Sequence, residues 1–132
     1  MFVMLEPKRC LVLMIDDDEE DYLIVCHLLK YVRLFDFELD WVSSYPEAKR
    51  YLSKTQPDII LLDYHLHPDR DGMDVARWLW ARGDRTPILL ISGTAHDDIA
   101  NDETLNEIVD GYRSKYELSA AMLEEDIRRV IG

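Results

Sequence analysis

The chain has 132 residues, of which 48% are hydrophobic and 32% are charged, and its formal net charge is −12. This length suits one domain with its own core, and the negative charge excludes a nucleic-acid partner, because binding to a phosphate backbone requires a basic surface. Apolar runs reach only about six residues, far below the roughly 20 that span a bilayer. We therefore expect a protein of the cytosol, with no membrane partner and with Cys10 and Cys26 reduced and buried.

The first predicted element is a buried strand over residues 10–15, and an unbroken run of carboxylates follows it at residues 16–21. Open parallel sheets bind ligands just beyond the carboxyl ends of their strands, and clustered oxygen ligands there favour Mg²⁺ or Ca²⁺. Acids are also common in the first turn of a helix, where they offset the macrodipole. Helical spacing of apolar residues from Leu23 to Val32 predicts such a helix.

The next two predicted elements are an edge strand and a capped helix. Residues 37–42 alternate apolar and polar side chains, which is typical of a half-exposed edge strand. Ser44 and Glu47 have the spacing of a capping box, so a helix is expected to begin there and to run through Leu52.

Residues 58–63 are predicted to be a third strand, which is mostly apolar and again ends in a carboxylate, Asp63. Residues 64–72 are predicted to be a loop, because they contain proline and glycine. The remaining predicted elements are a helix over 73–82, a strand over 87–92, a helix over 99–109, a strand over 111–114 and a helix over 118–131.

Strands that alternate with helices in this way predict an α/β fold with a parallel sheet. The carboxyl ends of parallel strands lie along one edge of the sheet, so residues that end different strands come together there. The residues at or just past these ends are Asp16, Asp17, Asp63, Ser92 and Lys115.

Three carboxylates at this edge predict a Mg²⁺ site. Asp17 and Asp63, with Asp16 behind them, provide the oxygen ligands that Mg²⁺ prefers, and waters and a backbone carbonyl complete its coordination. His65 lies two residues beyond Asp63 and is placed to lend that carbonyl.

A carboxylate beside such a metal can act as a nucleophile towards a phosphoryl group and form an aspartyl phosphate. Asp63 is the predicted nucleophile. Lys115 would supply a positive charge to the phosphoryl oxygens, and the Ser92 hydroxyl would donate a hydrogen bond to one of them.

Five segments, in this order, strongly resemble the receiver domain of two-component response regulators: LMIDDD at 13–18, PDIILLD at 57–63, DGMD at 71–74, PILLISG at 87–93 and DGYRSK at 110–115. The resemblance implies a flavodoxin-like (βα)5 fold, a doubly wound parallel sheet with strand order 2-1-3-4-5. It assigns residues 9–132 to the domain and residues 1–8 to an N-terminal extension.

The resemblance also implies a function in signalling. The phosphoryl group would come from a histidine of a sensor histidine kinase or a phosphotransfer protein, and the signal would pass to a downstream target protein. Such an acceptor catalyses its own phosphorylation and dephosphorylation and is not a conventional enzyme. By resemblance, Asp63 is the phosphoacceptor, Asp16 (through a water) and Asp17 are the acidic pair, Ser92 is the switch hydroxyl, Lys115 is the family's lysine and Tyr112 is the switch aromatic.

The chain departs from the family pattern near Lys115. Tyr116 stands where proline usually follows the lysine, so a trans or strained peptide bond is expected. Arg113 and Ser114 replace apolar residues, which predicts a short last strand and a weaker output face. These departures favour one alternative, a receiver-like interaction module that does not turn over phosphate. For Tyr112, an ordinary half-buried surface tyrosine is the alternative to a switch.

Phosphatase, nucleotide-binding and transition-metal interpretations have less support. Asp16 and Asp18 resemble the nucleophile motif of haloacid-dehalogenase-type phosphatases, but Glu20 stands where that motif expects threonine or valine. A nucleotide-binding domain would need a glycine-rich loop after the first strand. A transition-metal site at His65 and His67 lacks convincing further ligands.

The sequence leaves the context of the domain open. The chain is either a stand-alone regulator or a receiver from a hybrid kinase or a longer regulator. Its apolar residues 1–5 could pack on the fold or pair two copies as a homodimer.

Overall fold

The computed structural model describes residues 7–67, 70–93 and 107–131. None of its helices in these ranges is both long and apolar enough to cross a membrane. The strands are β1 (Lys8–Ile15), β2 (Phe35–Val42), β3 (Ile59–Asp63), β4 (His65–His67), β5 (Arg70–Asp71), β6 (Ile88–Ser92) and β7 (Gly111–Ser114). The α-helices are α1 (Glu19–Leu29), α2 (Tyr45–Leu52), α3 (Met73–Ala81) and α4 (Ala120–Ile131), and a short 3-10 helix spans Lys115–Glu117.

Five parallel strands form the main sheet in the order β2-β1-β3-β6-β7. Counted along this sheet alone, the order is 2-1-3-4-5, which confirms the predicted flavodoxin-like α/β fold. Strand β2 lies at an edge, as its alternating pattern predicted. Most of the helix predicted over residues 99–109 lies outside the described residues, and so do residues 1–6 of the extension predicted over residues 1–8.

Both faces of the sheet are covered by apolar layers. Leu13 and Ile15 of β1 pack with residues of α2 and α3, whereas Val12 and Met14 pack with residues of α1 and α4. All four side chains are at most 1% exposed, and burying a side chain of this size stabilises the fold by about 1.5–3 kcal/mol. This two-sided burial explains why residues 10–15 of the strand are all apolar, whereas Lys8 and Arg9 at its exposed beginning are not.

Side-chain caps set the beginnings of α1 and α2. The Asp18 carboxylate accepts a hydrogen bond from the Glu20 amide at 2.9 Å, so α1 begins earlier than the apolar spacing alone indicated. Ser44 caps α2 and accepts from the Glu47 amide at 3.2 Å. The other half of the predicted capping box differs, because the Glu47 carboxylate accepts from the Ser43 amide, at 2.9 Å, instead of the Ser44 amide.

A short antiparallel hairpin, β4 and β5, replaces part of the loop predicted over residues 64–72. Its cause is Leu66, which is 1% exposed and belongs to the core on the α2 and α3 side. In the sequence His65-Leu66-His67, one apolar residue stands between two polar ones, which is the alternation of a strand. Proline and glycine indicated a break in regular structure but did not reveal this contact.

The two cysteines are free thiols in different environments. Cys10 lies in the core, and its burial, with a smaller effect from Asp58, raises the pKa of this thiol to about 11. Cys26 is only half-buried, so the prediction that both thiols are buried is wrong for this one. It lies on α1, which leaves part of its circumference to solvent.

Strand β7 is short, as predicted, and is joined to α4 by an ion pair. Arg113 Nε donates to Asp126 Oδ2 at 2.9 Å, and its Nη2 donates to Oδ1 at 3.0 Å. The Asp126 side chain is 2% exposed and the Arg113 side chain 37%. This bidentate geometry is the strong form of an arginine–carboxylate contact, and it stands where apolar packing was expected.

We expect Arg113→Ala to lower the free energy of unfolding by about 2 kcal/mol, because it leaves the buried Asp126 carboxylate without its main partner. Urea denaturation provides the measurement. The control is Arg50→Ala, which removes an exposed arginine in the last turn of α2 and should cost less than about 0.5 kcal/mol. Equal losses in the two variants would contradict this interpretation.

Candidate functional site

The candidate site lies at the carboxyl edge of the main sheet. Asp16 directly follows β1, Asp63 is the last residue of β3, Ser92 is the last residue of β6, and Lys115 directly follows β7. Because these strands are parallel, their ends meet at one edge. Asp63 pairs in register with Ile91, so Ser92 lies one residue beyond it on the neighbouring strand.

Asp63 is held by contacts to both of its carboxylate oxygens. Oδ1 accepts a hydrogen bond from the His65 amide at 3.1 Å, and Oδ2 accepts one from Lys115 Nζ at 3.2 Å. The residue is 3% exposed. Burial raises the pKa of this carboxyl group, while Lys115 and the His65 amide act in the opposite direction. The structure thus places a nearly buried carboxylate beside a single ammonium group.

Asp16 is also buried, at 1% exposure. Its Oδ1 accepts from the Asp18 amide at 2.9 Å, and its backbone carbonyl accepts from the Trp41 indole at 2.7 Å. Burial raises the pKa of Asp16 to about 7, and the nearby Asp63 adds to this rise. Two buried carboxyl groups side by side disfavour each other's ionised form unless a cation is close.

The geometry of the carboxylates fits a magnesium ion. One carboxylate oxygen from each of Asp16, Asp17 and Asp63 lies within 4.8 Å of the other two. Within the described residues, this is the one cluster of acidic, histidine or cysteine side chains close enough together to hold a metal ion. Asp16 Oδ2 is buried and accepts no hydrogen bond from any described group, although Lys115 Nζ lies 3.2 Å away. A buried oxygen with spare acceptor capacity and an all-oxygen ligand set are what Mg²⁺ requires.

Lys115 contacts carboxylates from three different segments. Its ammonium group lies 3.2 Å from both Asp16 Oδ2 and Asp63 Oδ2, and it forms a close hydrogen bond to Asp21 Oδ2. Burial alone would lower the pKa of Lys115, but these three carboxylates outweigh it and raise the pKa above its ordinary value. The lysine therefore carries its positive charge throughout the physiological range.

Asp21 is a residue of this site that the sequence interpretation assigned only to the first turn of the helix. It does lie in the first turn of α1, but it is half-buried, whereas Glu19 and Glu20 are exposed. No local signal separated these acids, since all of them follow the same strand without a break. Only the position of Lys115, 94 residues away along the chain, distinguishes Asp21.

The other predicted residues surround this cluster. Ser92 is 2% exposed and pairs in register with Ser114. Tyr112 pairs with Leu90 and packs, half-buried, against the core on the α2 and α3 side. The His65 amide bonds to Asp63, while the use of its carbonyl as a metal ligand stays a prediction.

Trp41 and Gly72 also shape this edge. The sequence singled out Gly72 only as a loop breaker and as part of the segment DGMD, and it did not single out Trp41. Trp41 on β2 bonds to Asp16 and stacks on Tyr22 of α1, with ring centroids 4.9 Å apart. The Gly72 amide donates to the Tyr64 carbonyl at 2.6 Å. A Cβ atom on Gly72 would lie 2.0 Å from the Asp63 carbonyl oxygen, so only glycine allows the backbone to approach so closely.

The fold and this cluster define a class: doubly wound α/β domains with an acidic, lysine-bridged site at the carboxyl edge of a parallel sheet. The model of the response regulator receiver domain matches residues 12–125. The chain therefore belongs to the family of response regulator receiver domains of two-component signalling.

Known proteins and structures agree with this membership. The chain is 32% identical over 87 residues to the transcriptional regulatory protein PrrA of Mycobacterium leprae, a match that covers 66% of this chain and 36% of that protein. It thus spans about a third of the length of this relative. The receiver domain of the sensor histidine kinase PA1611 from Pseudomonas aeruginosa, solved with a magnesium ion in its active-site cleft, is 25% identical, with a TM-score of 0.77 over 93% of this chain and 98% of that one.

A third similarity concerns the fold alone. The receiver domain of a putative Luxo repressor protein from Vibrio parahaemolyticus is 20% identical, with a TM-score of 0.77 over 92% of each chain. A likeness at this level of identity supports the architecture of the sheet and helices and carries no residue roles.

We expect Gly72→Ala to destabilise the protein by about 3 kcal/mol, because the added methyl group meets backbone that cannot move aside. Gly93→Ala is the control, since the nearest atom to its added Cβ is Lys115 Cδ at 3.9 Å, an ordinary contact that should change stability by less than about 0.5 kcal/mol. Thermal and urea unfolding of both variants provide the test. A Gly72→Ala protein as stable as the control would show that the backbone is free to shift.

Proposed function

We propose that this receiver domain accepts a phosphoryl group on Asp63 from a phosphohistidine of a sensor histidine kinase or phosphotransfer protein, in a Mg²⁺-dependent reaction. The observation that carries this proposal is the environment of Asp63. Its carboxylate is 3% exposed, lies 3.2 Å from Lys115 Nζ and shares a cluster of oxygens with Asp16 and Asp17.

In the proposed transfer, one Asp63 oxygen attacks phosphorus and forms a P–O bond. The P–N bond to the donor imidazole breaks, and its electron pair stays on the ring nitrogen, which takes up a proton. Charge in such a loose transition state is spread over the phosphoryl oxygens, so catalysis depends on positioning and on nearby positive charge. Lys115 supplies that charge from the protein, and the Ser92 hydroxyl donates to a phosphoryl oxygen.

Asp16, Asp17 and Asp63 would hold the magnesium ion, with the His65 carbonyl as a further ligand and a water between the ion and Asp16. When bound, Mg²⁺ neutralises charge on the transferring phosphoryl oxygens. A bound cation would also stabilise the ionised carboxylates themselves. The Lys115 ammonium group carries one positive charge, whereas the surrounding carboxylates carry several negative charges that repel one another.

The proposed output is a phosphorylation-dependent contact with a downstream target protein. Ser92 lies on β6 two residues beyond Leu90, which pairs in register with Tyr112 of β7, and we expect a movement of the hydroxyl towards a phosphoryl group to change how the ring packs. A phosphoryl group that binds one arrangement of these side chains better than the other shifts the population towards it.

Incubation with Mg²⁺ and acetyl phosphate should add one base-labile phosphoryl group, and Asp63→Asn should abolish it because the amide cannot form an acyl phosphate. Intact mass spectrometry measures the addition. Asp36→Asn, an exposed carboxylate of β2 remote from the cluster, should be labelled as the unmodified chain is. If several small phosphodonors and a cognate kinase all fail to label the protein, the alternative of an interaction module without phosphate turnover replaces this proposal.

We also expect Asp17→Asn to weaken Mg²⁺ binding by at least about tenfold, since even the groups behind metal ligands change affinity by that factor. Isothermal titration calorimetry measures the affinity. Glu19→Gln removes an equal charge from an exposed residue of the adjacent helix turn and should have a much smaller effect. Equal affinities for Asp17→Asn and the unmodified protein would contradict the metal assignment.

A further inference from the structure

Lys115 is held by a carboxylate that the proposed chemistry does not use. Its ammonium group forms its closest contact with Asp21 Oδ2, on α1, and more distant ones with Asp63 on β3 and Asp16 after β1. The ammonium group donates hydrogen bonds to Asp21 and Asp63, and its contact with Asp16 is an ion pair at 3.2 Å. Asp21 thereby ties the end of β7 to the first turn of α1.

Within the described residues, the end of the Lys115 side chain is placed by its contacts with carboxylates. A lysine side chain has a flexible four-carbon stem and loses considerable conformational entropy when it is held in one place. The residue that follows, Tyr116, is 89% exposed and does not pack against the lysine's segment to fix it. The 3-10 helix that begins at Lys115 is only three residues long.

Of the three carboxylates around the ammonium group, Asp21 alone stays available during the proposed reaction. Asp63 becomes an acyl phosphate, so its oxygen no longer carries the full charge that attracts Lys115. Asp16 belongs to the group of oxygens that can hold the metal ion, and Asp21 does not. The contact to Asp21 can therefore persist while the contact to Asp63 passes to a phosphoryl oxygen.

We propose that Asp21 is a positioning residue that holds the Lys115 ammonium group beside Asp63 throughout phosphoryl transfer. This inference rests on the proposed function of Asp63. Asp21 touches neither the metal group nor the acceptor carboxylate; it acts through Lys115. It is an acid of the first helix turn that also has a long-range partner, unlike Glu20, which is exposed.

The test compares Asp21→Asn with Glu20→Gln. Both variants remove one negative charge from the same turn of α1, but only the first removes a partner of Lys115. The first measurement is the NMR spectrum of the lysine ammonium groups, in which a group held by hydrogen bonds exchanges slowly with water. Its Lys115 signal is assigned as the one missing from Lys115→Arg. The second measurement is the rate of phosphorylation by acetyl phosphate at saturating Mg²⁺, with the Mg²⁺ affinity determined in parallel.

We expect Asp21→Asn to lose the slowly exchanging Lys115 signal and to slow phosphorylation by about tenfold, a loss typical of a misplaced catalytic group. Glu20→Gln should keep the signal and change the rate by less than about twofold. The two variants should bind Mg²⁺ equally, and Asp21→Glu should recover part of the rate.

Two results would overturn the inference: a retained Lys115 signal in Asp21→Asn, or a rate equal to or faster than that of Glu20→Gln. A faster rate would mean that Asp21 competes with the phosphoryl group for the lysine. If the unmodified protein accepts no phosphoryl group, the proposed function fails, and the NMR comparison then decides by itself whether Asp21 holds Lys115.

Discussion

The functional edge of this domain depends on one ammonium group that is shared by carboxylates from distant parts of the chain. Asp16 and Asp63 are each nearly buried, and their proximity would favour their neutral forms if no cation were near. Lys115 lies 3.2 Å from an oxygen of each. Its charge offsets part of their repulsion, and Asp16 Oδ2 still accepts no hydrogen bond from any described group.

The position of this ammonium group depends in turn on how β7 is fixed. Arg113 and Asp126 join β7 to α4 through two hydrogen bonds at 2.9 and 3.0 Å. Only the Asp126 carboxylate of this pair is buried, and loss of its partner is costly because it leaves a buried charge without compensation. Near Lys115 the chain thus has a directional contact of Arg113 with Asp126, where the family pattern has apolar residues. It also has Tyr116 in place of the proline that usually follows the lysine.

The burial that stabilises the sheet also creates the chemistry at its edge. The apolar layers on both faces exclude water from the strands up to their last residues, so the carboxylates that end β1 and β3 lie in a poorly solvated environment. Burial is the main reason that the pKa values of Asp16 and Asp63 are raised. The same packing therefore stabilises the sheet and places the carboxylates where a nearby cation is needed to keep them ionised.

The pattern along the chain predicted much of this protein. Apolar runs and caps are local signals, so the strands, their order by family resemblance and the grouping of Asp16, Asp63 and Lys115 at one edge followed from the residues themselves. Capping was predicted only in part, because Glu47 can reach either of two neighbouring amides, and it accepts from Ser43, whose hydroxyl donates to the same carboxylate oxygen. The hairpin at Leu66 was missed, since a three-residue alternation is too short to identify a strand.

The contacts that complete the site were decided by the tertiary structure. Asp21 and its neighbouring acids are equivalent in sequence, and only the approach of Lys115 from 94 residues away separates them. Asp126 looks like a surface acid of an amphipathic helix until Arg113 is brought against it. Local patterns report which face of an element is apolar, whereas the pairing of charged side chains depends on distances that exist only after the chain has folded.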